Sequence, residues 1–387
     1  MVKIGRTWLL ALGSLMVLAY GGTAAAAAQP ATTSPRETAA TASPVVYVAN
    51  SGTNTVTPIS TATKKAGTAI KVGPHPKVIA ITPDGKTAYV GSAATGLTMN
   101  SVTPIRTATN TTRTPINVGF DIPFAIAITP DGKTAYVVGD GSVEFSGLFP
   151  ITVATNTVGP LISTGGTTPA AIAITPNGTT AYVTNYGSAT VTPITVATNT
   201  AGAPINVGQT PSAIAITPNG RTAYVVNNQS DSVSAITTAT NTVGHTIRVG
   251  RFPAAIAITP NGKTAYVVNA GGGTVTPINT ATNKPGRPIR VLGGTPSAIA
   301  ITPDGRTAYV VDSGSSSVTP IVTATNRIKK LIPVGLGPIA IAITPRGRTA
   351  YVANFGSNTV TPINTATNTP GRPIKVGKEP WTLAITP

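Results

Sequence analysis

The chain has 387 residues, with 27 Lys or Arg against 10 Asp or Glu and a formal charge of +17. It has no cysteine, so neither a disulfide framework nor a lipid-modified cysteine is available, and two histidines are too few for a multi-histidine zinc or haem centre. Scarce charge, 40 Gly, 35 Pro and recurrent short runs of Thr, Val and Ile favour many short strands joined by turns over helices.

In chain order, residues 1–28 read as a secretory leader. Lys3 and Arg6 precede an apolar run over 8–20 that is too short to span a membrane comfortably, and Ala24 to Ala28 offers small-residue cleavage sites. Residues 29–44 are rich in Thr, Ala and Pro without apolar periodicity, which predicts a disordered tether. The expected location is therefore secreted or associated with the cell envelope, with no transmembrane segment once the leader is removed.

From residue 45 to 387 one phrase recurs, plainest as Ala-Ile-Thr-Pro-Asn-Gly-Lys-Thr-Ala-Tyr-Val-Val at 257–268. Tyr-Val pairs begin at Tyr47, Tyr89, Tyr136, Tyr182, Tyr224, Tyr266, Tyr309 and Tyr351, a spacing of about 42 residues that marks a repeat architecture. Each unit holds four apolar runs, A to D. Around Ile216 these are 213–217, 222–226, about 232–236 and 246–249. Run A alternates Ala with Ile, so neighbouring sheets can interlock large against small, and Asn-Gly or Asp-Gly between A and B supplies hairpin turns. Four antiparallel strands per unit without a crossover helix predict a β-propeller. The first unit begins at run B and the last stops after run A, so the C-terminal strand is expected to complete the first blade. Eight blades are expected, with seven and one irregular unit as the alternative.

The phrases Tyr47-Val48-Ala49-Asn50, Tyr182-Val183-Thr184-Asn185 and Tyr351-Val352-Ala353-Asn354 carry Pro-Asp/Asn-Gly before them and Ala-Thr-Asn after them. They resemble the YVTN-repeat family of secreted β-propellers, whose members include archaeal surface-layer proteins and a periplasmic propeller that associates with single-stranded DNA. The resemblance implies a propeller outside the cytoplasm and no particular ligand. One departure stands out: run C holds Pro58, Pro104, Pro150, Pro193, Pro277, Pro320 and Pro362, with Ala235 the exception. Proline gives no donor to a ladder, so either a bulge absorbs it or the fourth strand pairs poorly.

In a propeller the A–B and C–D turns share one face and the B–C and D–A loops the other. The first face then concentrates basic residues, among them Lys86, Lys133, Arg221, Lys263, Arg306 and Arg348, while acids slightly outnumber bases on the second. A ring of basic turns would draw anionic polymer such as cell-wall polymer, acidic glycan or nucleic acid, although solubility alone also explains it. The second face carries the irregular loops, with Phe120, Asp121, Asp140, Glu144, Arg251, Phe252 and Trp381 as candidate contacts for a ligand or a protein partner.

His75 and His245 fall on different parts of a blade, which leaves no histidine base with a partner. The expected function is accordingly a non-catalytic binding or adhesive scaffold that needs no cofactor. The alternative is an extracellular lyase or hydrolase at the channel mouth, using Asp121, Asp140, Glu144, Asp231 or Glu379.

Overall fold

Each repeat becomes one sheet because its apolar runs are short and β-branched and its turns reverse the chain. The structure, a computed structural model, describes residues 43–93, 100–119, 122–140 and 146–387. The leader and all but the last two residues of the tether lie outside the described residues, as do Phe120, Asp121 and Glu144. Eight antiparallel sheets follow one another, numbered here as blades 1 to 8. In blade 4, strand A is Pro169–Ile174, B is Thr180–Asn185 and C is Thr190–Thr195, while D is two short pieces, Thr200–Ala201 and Ile205–Asn206. Blade 1 is assembled from both ends of the ring. Pro380–Ile385 supplies its strand A and pairs with Val45–Asn50, with Val46 opposite Ile385 and Val48 opposite Leu383.

The core is divided among the gaps between blades. Eight hydrophobic clusters each draw residues from two neighbouring sheets, so no sheet has a core of its own. Between blades 7 and 8, Ala298, Ala300, Tyr309 and Val311 meet Ile341, Val352 and Ile363. The Ala face of one inner strand thus receives the Ile face of the next, as the alternation predicts. Tyr309 is fully buried except for its need of a polar partner, and its hydroxyl donates to Asn368 Oδ1 at 2.6 Å in the C–D turn of blade 8. The same clasp joins Tyr47 to Asn110, Tyr89 to Asn156, Tyr136 to Asn199, Tyr182 to Asn241, Tyr224 to Asn283 and Tyr266 to Asn326. At the seam from blade 8 to blade 1 the turn position holds Lys64, and the Tyr351 hydroxyl has no partner.

The strand C prolines act on the outer strand. Pro193 accepts from the Gly202 amide at 2.8 Å but has no N–H to return, and the outer strand leaves the ladder after Ala201 and rejoins at Ile205. Both sequence readings meet here: the proline is tolerated because strand D is broken beside it. Blade 5 has Ala235 instead, opposite His245, and its strand D is continuous over Thr242–Arg248.

The turns also set the two faces. The Thr280 amide of a C–D turn donates to Lys263 O of the A–B turn, whereas the Tyr186 amide of a B–C turn donates to Thr168 O of the D–A loop. Each pair of loops therefore shares one end of its blade. In the A–B turn of blade 6, Asn261 Oδ1 accepts from both the Thr259 hydroxyl and the Lys263 amide, and Gly262 adopts a φ of 69°, which glycine reaches without strain.

Candidate functional site at the channel mouth

Strand A opens with proline in seven blades and with Ile122-Pro123 in blade 3, and in each the proline is followed by a bulge. In blade 1, Pro380 lies opposite Asn50 and Thr382 opposite Ala49, which leaves Trp381 as the extra residue. A bulge redirects one side chain out of the ladder and recurs beside active sites. The equivalent residues are Lys77, Phe124, Ala170, Ser212, Ala254, Ser297 and Ile339 in blades 2 to 8. This ring sits at the mouth end of the innermost strands and is lopsided. Blades 8, 1, 2 and 3 present Ile, Trp, Lys and Phe, whereas blades 4 to 7 present only Ala or Ser.

Two of the large residues, Lys77 and Trp381, meet. Lys77 Nζ stands 3.5 Å from the centroid of the Trp381 ring, within cation–π range. Phe355, in the B–C turn of blade 8, meets Trp381 edge to face with centroids 5.7 Å apart. Burial pushes the Lys77 amine below the ordinary lysine value, and the nearby Glu379 carboxylate opposes that shift. Lys77, Trp381 and Glu379 therefore come from two adjacent D–A loops and share one sector with His75.

The preceding blade's turn fixes each of these loops. The His75 amide donates to Asn54 Oδ1 at 2.9 Å, and the Glu379 amide to Asn358 Oδ1 at 2.8 Å. Both residues hold positive φ, 44° for His75 and 55° for Glu379, conformations costly for residues with a side chain. Gly52 lies so near that an added Cβ would stand 3.0 Å from Lys378 Cβ and 3.1 Å from Glu379 Cδ. The glycine gives the Glu379 side chain its room.

The other sequence candidates lie apart from this group. Arg251 and Phe252 occupy the D–A loop of blade 6, with the guanidinium 5.7 Å from the ring centroid, and Phe252 is 45% exposed. Asp231 accepts from the Phe252 amide at 2.8 Å, so that acid holds a loop in place. Asp140 accepts from the Ser146 hydroxyl. Lys86, Lys133 and Arg306 are paired with Asp84, Asp131 and Asp304 at 3.7, 3.7 and 3.8 Å, while Arg221, Lys263 and Arg348 stand exposed on equivalent turns. His75 is at the mouth and His245 on the outer strand of blade 5. Among the described residues no group of three or more His, Cys, Asp or Glu is placed to hold a metal ion. Sequence reading finds Trp381 but misses its joining to Lys77. The available signal was the residue after each loop proline, large or charged in some repeats and small in the others.

Residues 123–243 match the family model described as lactonase, 7-bladed beta-propeller. Among solved structures, the chain is similar to Kuenenia stuttgartiensis hydrazine synthase, at 26% identity over 75% of this chain and 96% of that one, with a TM-score of 0.60. It is also similar to dihydro-haem d1 dehydrogenase NirN (15% identity, 90% and 76% covered, TM-score 0.74). A third likeness is to a putative 6-phosphogluconolactonase of Bacteroides fragilis (16%, 92% and 100%, TM-score 0.60). No curated protein matches. These findings overturn the expectation of a non-catalytic scaffold and of a protein that is not an enzyme, because the matched family is one of enzymes and the similar structures carry enzyme names. The expectation failed for a physical reason. It gave most weight to the lack of a histidine base with a partner, whereas a lysine and a neighbouring carboxylate, as in Lys77 and Glu379, also supply a charge and a proton acceptor.

Proposed function

We propose that the protein is a hydrolase that opens a small lactone at the channel mouth. The observation that carries this reading is Lys77, held over the Trp381 ring and within the electrostatic reach of Glu379, in one sector of a ring that elsewhere offers only small or apolar bulge residues. The lactonase match over blades 3 to 5 supports the reaction class.

In this reading the buried Trp381 ring holds the Lys77 amine in place at the mouth. The Glu379 carboxylate takes a proton from water as the water oxygen attacks the carbonyl carbon, and the Lys77 ammonium faces the oxyanion that develops. Collapse of the tetrahedral intermediate breaks the bond to the ring oxygen. The proton held by Glu379 passes to that oxygen, and the product is a hydroxy acid.

The purified chain should release acid from a panel of γ- and δ-lactones, followed by pH-stat. Lys77→Met and Glu379→Gln are expected to lower kcat/KM at least 100-fold, and Arg221→Gln to leave it unchanged. Release no faster than the uncatalysed rate for every lactone rejects the proposal. We further propose that the chain is a YVTN-repeat propeller that acts outside the cytoplasm. The Tyr-Val-x-Asn phrases and the leader-like residues 1–28 support this, and recovery of activity from the medium or envelope fraction of expressing cells tests it.

A further inference from the structure

Blade 5 departs from the repeat in a way that hollows the gap between it and blade 4. Where strand C of blades 1, 4, 6 and 8 reads Thr-Val-Thr-Pro-Ile, blade 5 reads Ser232-Val233-Ser234-Ala235-Ile236. Ser234 replaces a buried threonine that faces the preceding blade. Blade 3 does the reverse, placing Phe149 at the same position, where it packs in the gap toward blade 2. The result in blade 5 is a cavity of about 330 Å³, open to solvent and floored by Ser232 and Ser234, which are 3% and 1% exposed. The continuous outer strand Thr242–Arg248, which the missing proline permits, forms one wall and brings Thr246 and Arg248 to it.

The hydrogen bonds decide what this cavity can hold. Ser232 Oγ and Ser234 Oγ accept from Asn227 Nδ2 at 3.1 and 2.9 Å, and Ser230 Oγ accepts from the Gln209 amide at 2.8 Å. Each hydroxyl has spent acceptor capacity on the protein and keeps its proton to donate. Thr246 adds a further hydroxyl and Asn206 an amide, and Arg248 has no carboxylate partner among the described residues. No acid lines the cavity. We propose that it binds a monosaccharide-sized sugar acid, with the carboxylate on the Arg248 guanidinium and the sugar oxygens accepting from the serine hydroxyls. The site lies on the outer part of the ring and does not depend on the lactone reading.

The test is calorimetric titration of the full chain with glucuronate, with glucose and acetate as separate arms. Glucuronate should bind at least tenfold more tightly than either. Arg248→Gln should remove that preference, and the double variant Ser234→Thr with Ala235→Pro should abolish binding. The double variant restores the residues of the other blades, and its melting curve and sheet circular dichroism report that it folds. Equal binding of glucose and glucuronate overturns the assignment of the carboxylate to Arg248. No binding of glucuronate, or binding unchanged in the double variant, overturns the site.

Discussion

At the residue scale the strongest pattern is the clasp from each buried tyrosine to the asparagine of the next blade, and its one lapse. Lys64 holds the turn position with φ 56°, which asparagine tolerates better than lysine, and it leaves the Tyr351 hydroxyl buried without a partner. Lys64→Asn is expected to supply the missing acceptor and stabilise the ring by about 1 kcal/mol, read as a higher Tm. A paired control sharpens this. Tyr266→Phe should lower Tm, because it strands Asn326, whereas Tyr351→Phe should change it little. The Tyr-Val-x-Asn phrase was legible in the sequence, but the partner of its hydroxyl was not, because Tyr266 and Asn326 stand 60 residues apart and meet only through packing of neighbouring sheets.

At the scale of the element, one residue type governs the outer strand. Pro193→Ala should let the pieces Thr200–Ala201 and Ile205–Asn206 join, and Ala235→Pro should break Thr242–Arg248 in two. Amide exchange checks both: protection should rise over 200–206 in the first variant and fall over 242–248 in the second. Unchanged protection would mean that the turn, not the proline, ends the ladder. The four runs and their order were readable from period and turn chemistry. The split of strand D was not, because a two-residue strand leaves no alternation to detect. The meeting of Lys77 with Trp381 was hidden for a related reason. A bulge residue such as Lys77 breaks the pattern of alternation, and its neighbour Trp381 lies at the other end of the chain.

At the scale of the whole molecule the repeated tyrosines act together. Burial pushes all eight Tyr-Val hydroxyls up to about 12 from an ordinary value of 10. A raised pKa in the folded state means that this contribution to stability is complete below pH 10, where the unfolded chain also keeps its protons. It is lost as pH rises from 10 towards 12, when unfolding releases protons that the fold retains. The ring is expected to collapse cooperatively in that window, with tyrosinate absorbance and loss of sheet circular dichroism rising together. Tyrosines that ionise near pH 10 while the sheet signal persists would contradict this. Eight such sites were countable in the sequence, but their concerted response follows from a core divided equally among the gaps.

The pairing of Val45–Asn50 with Pro380–Ile385 also sets how the ring bears load. The strands are antiparallel, so the point where the chain enters the ring and the point where it leaves lie side by side, at Val45 and Thr386. Tension between those points acts across the ladder and peels it one bond at a time. The first bonds to yield are the Val45 amide to Thr386 Oγ1 and the Thr386 amide to Val45 O. A pull on the entering chain alone, against a body held elsewhere, draws strand B along its own axis and loads its bonds to both neighbours together. The same closure is thus weak to being unzipped and strong to being towed.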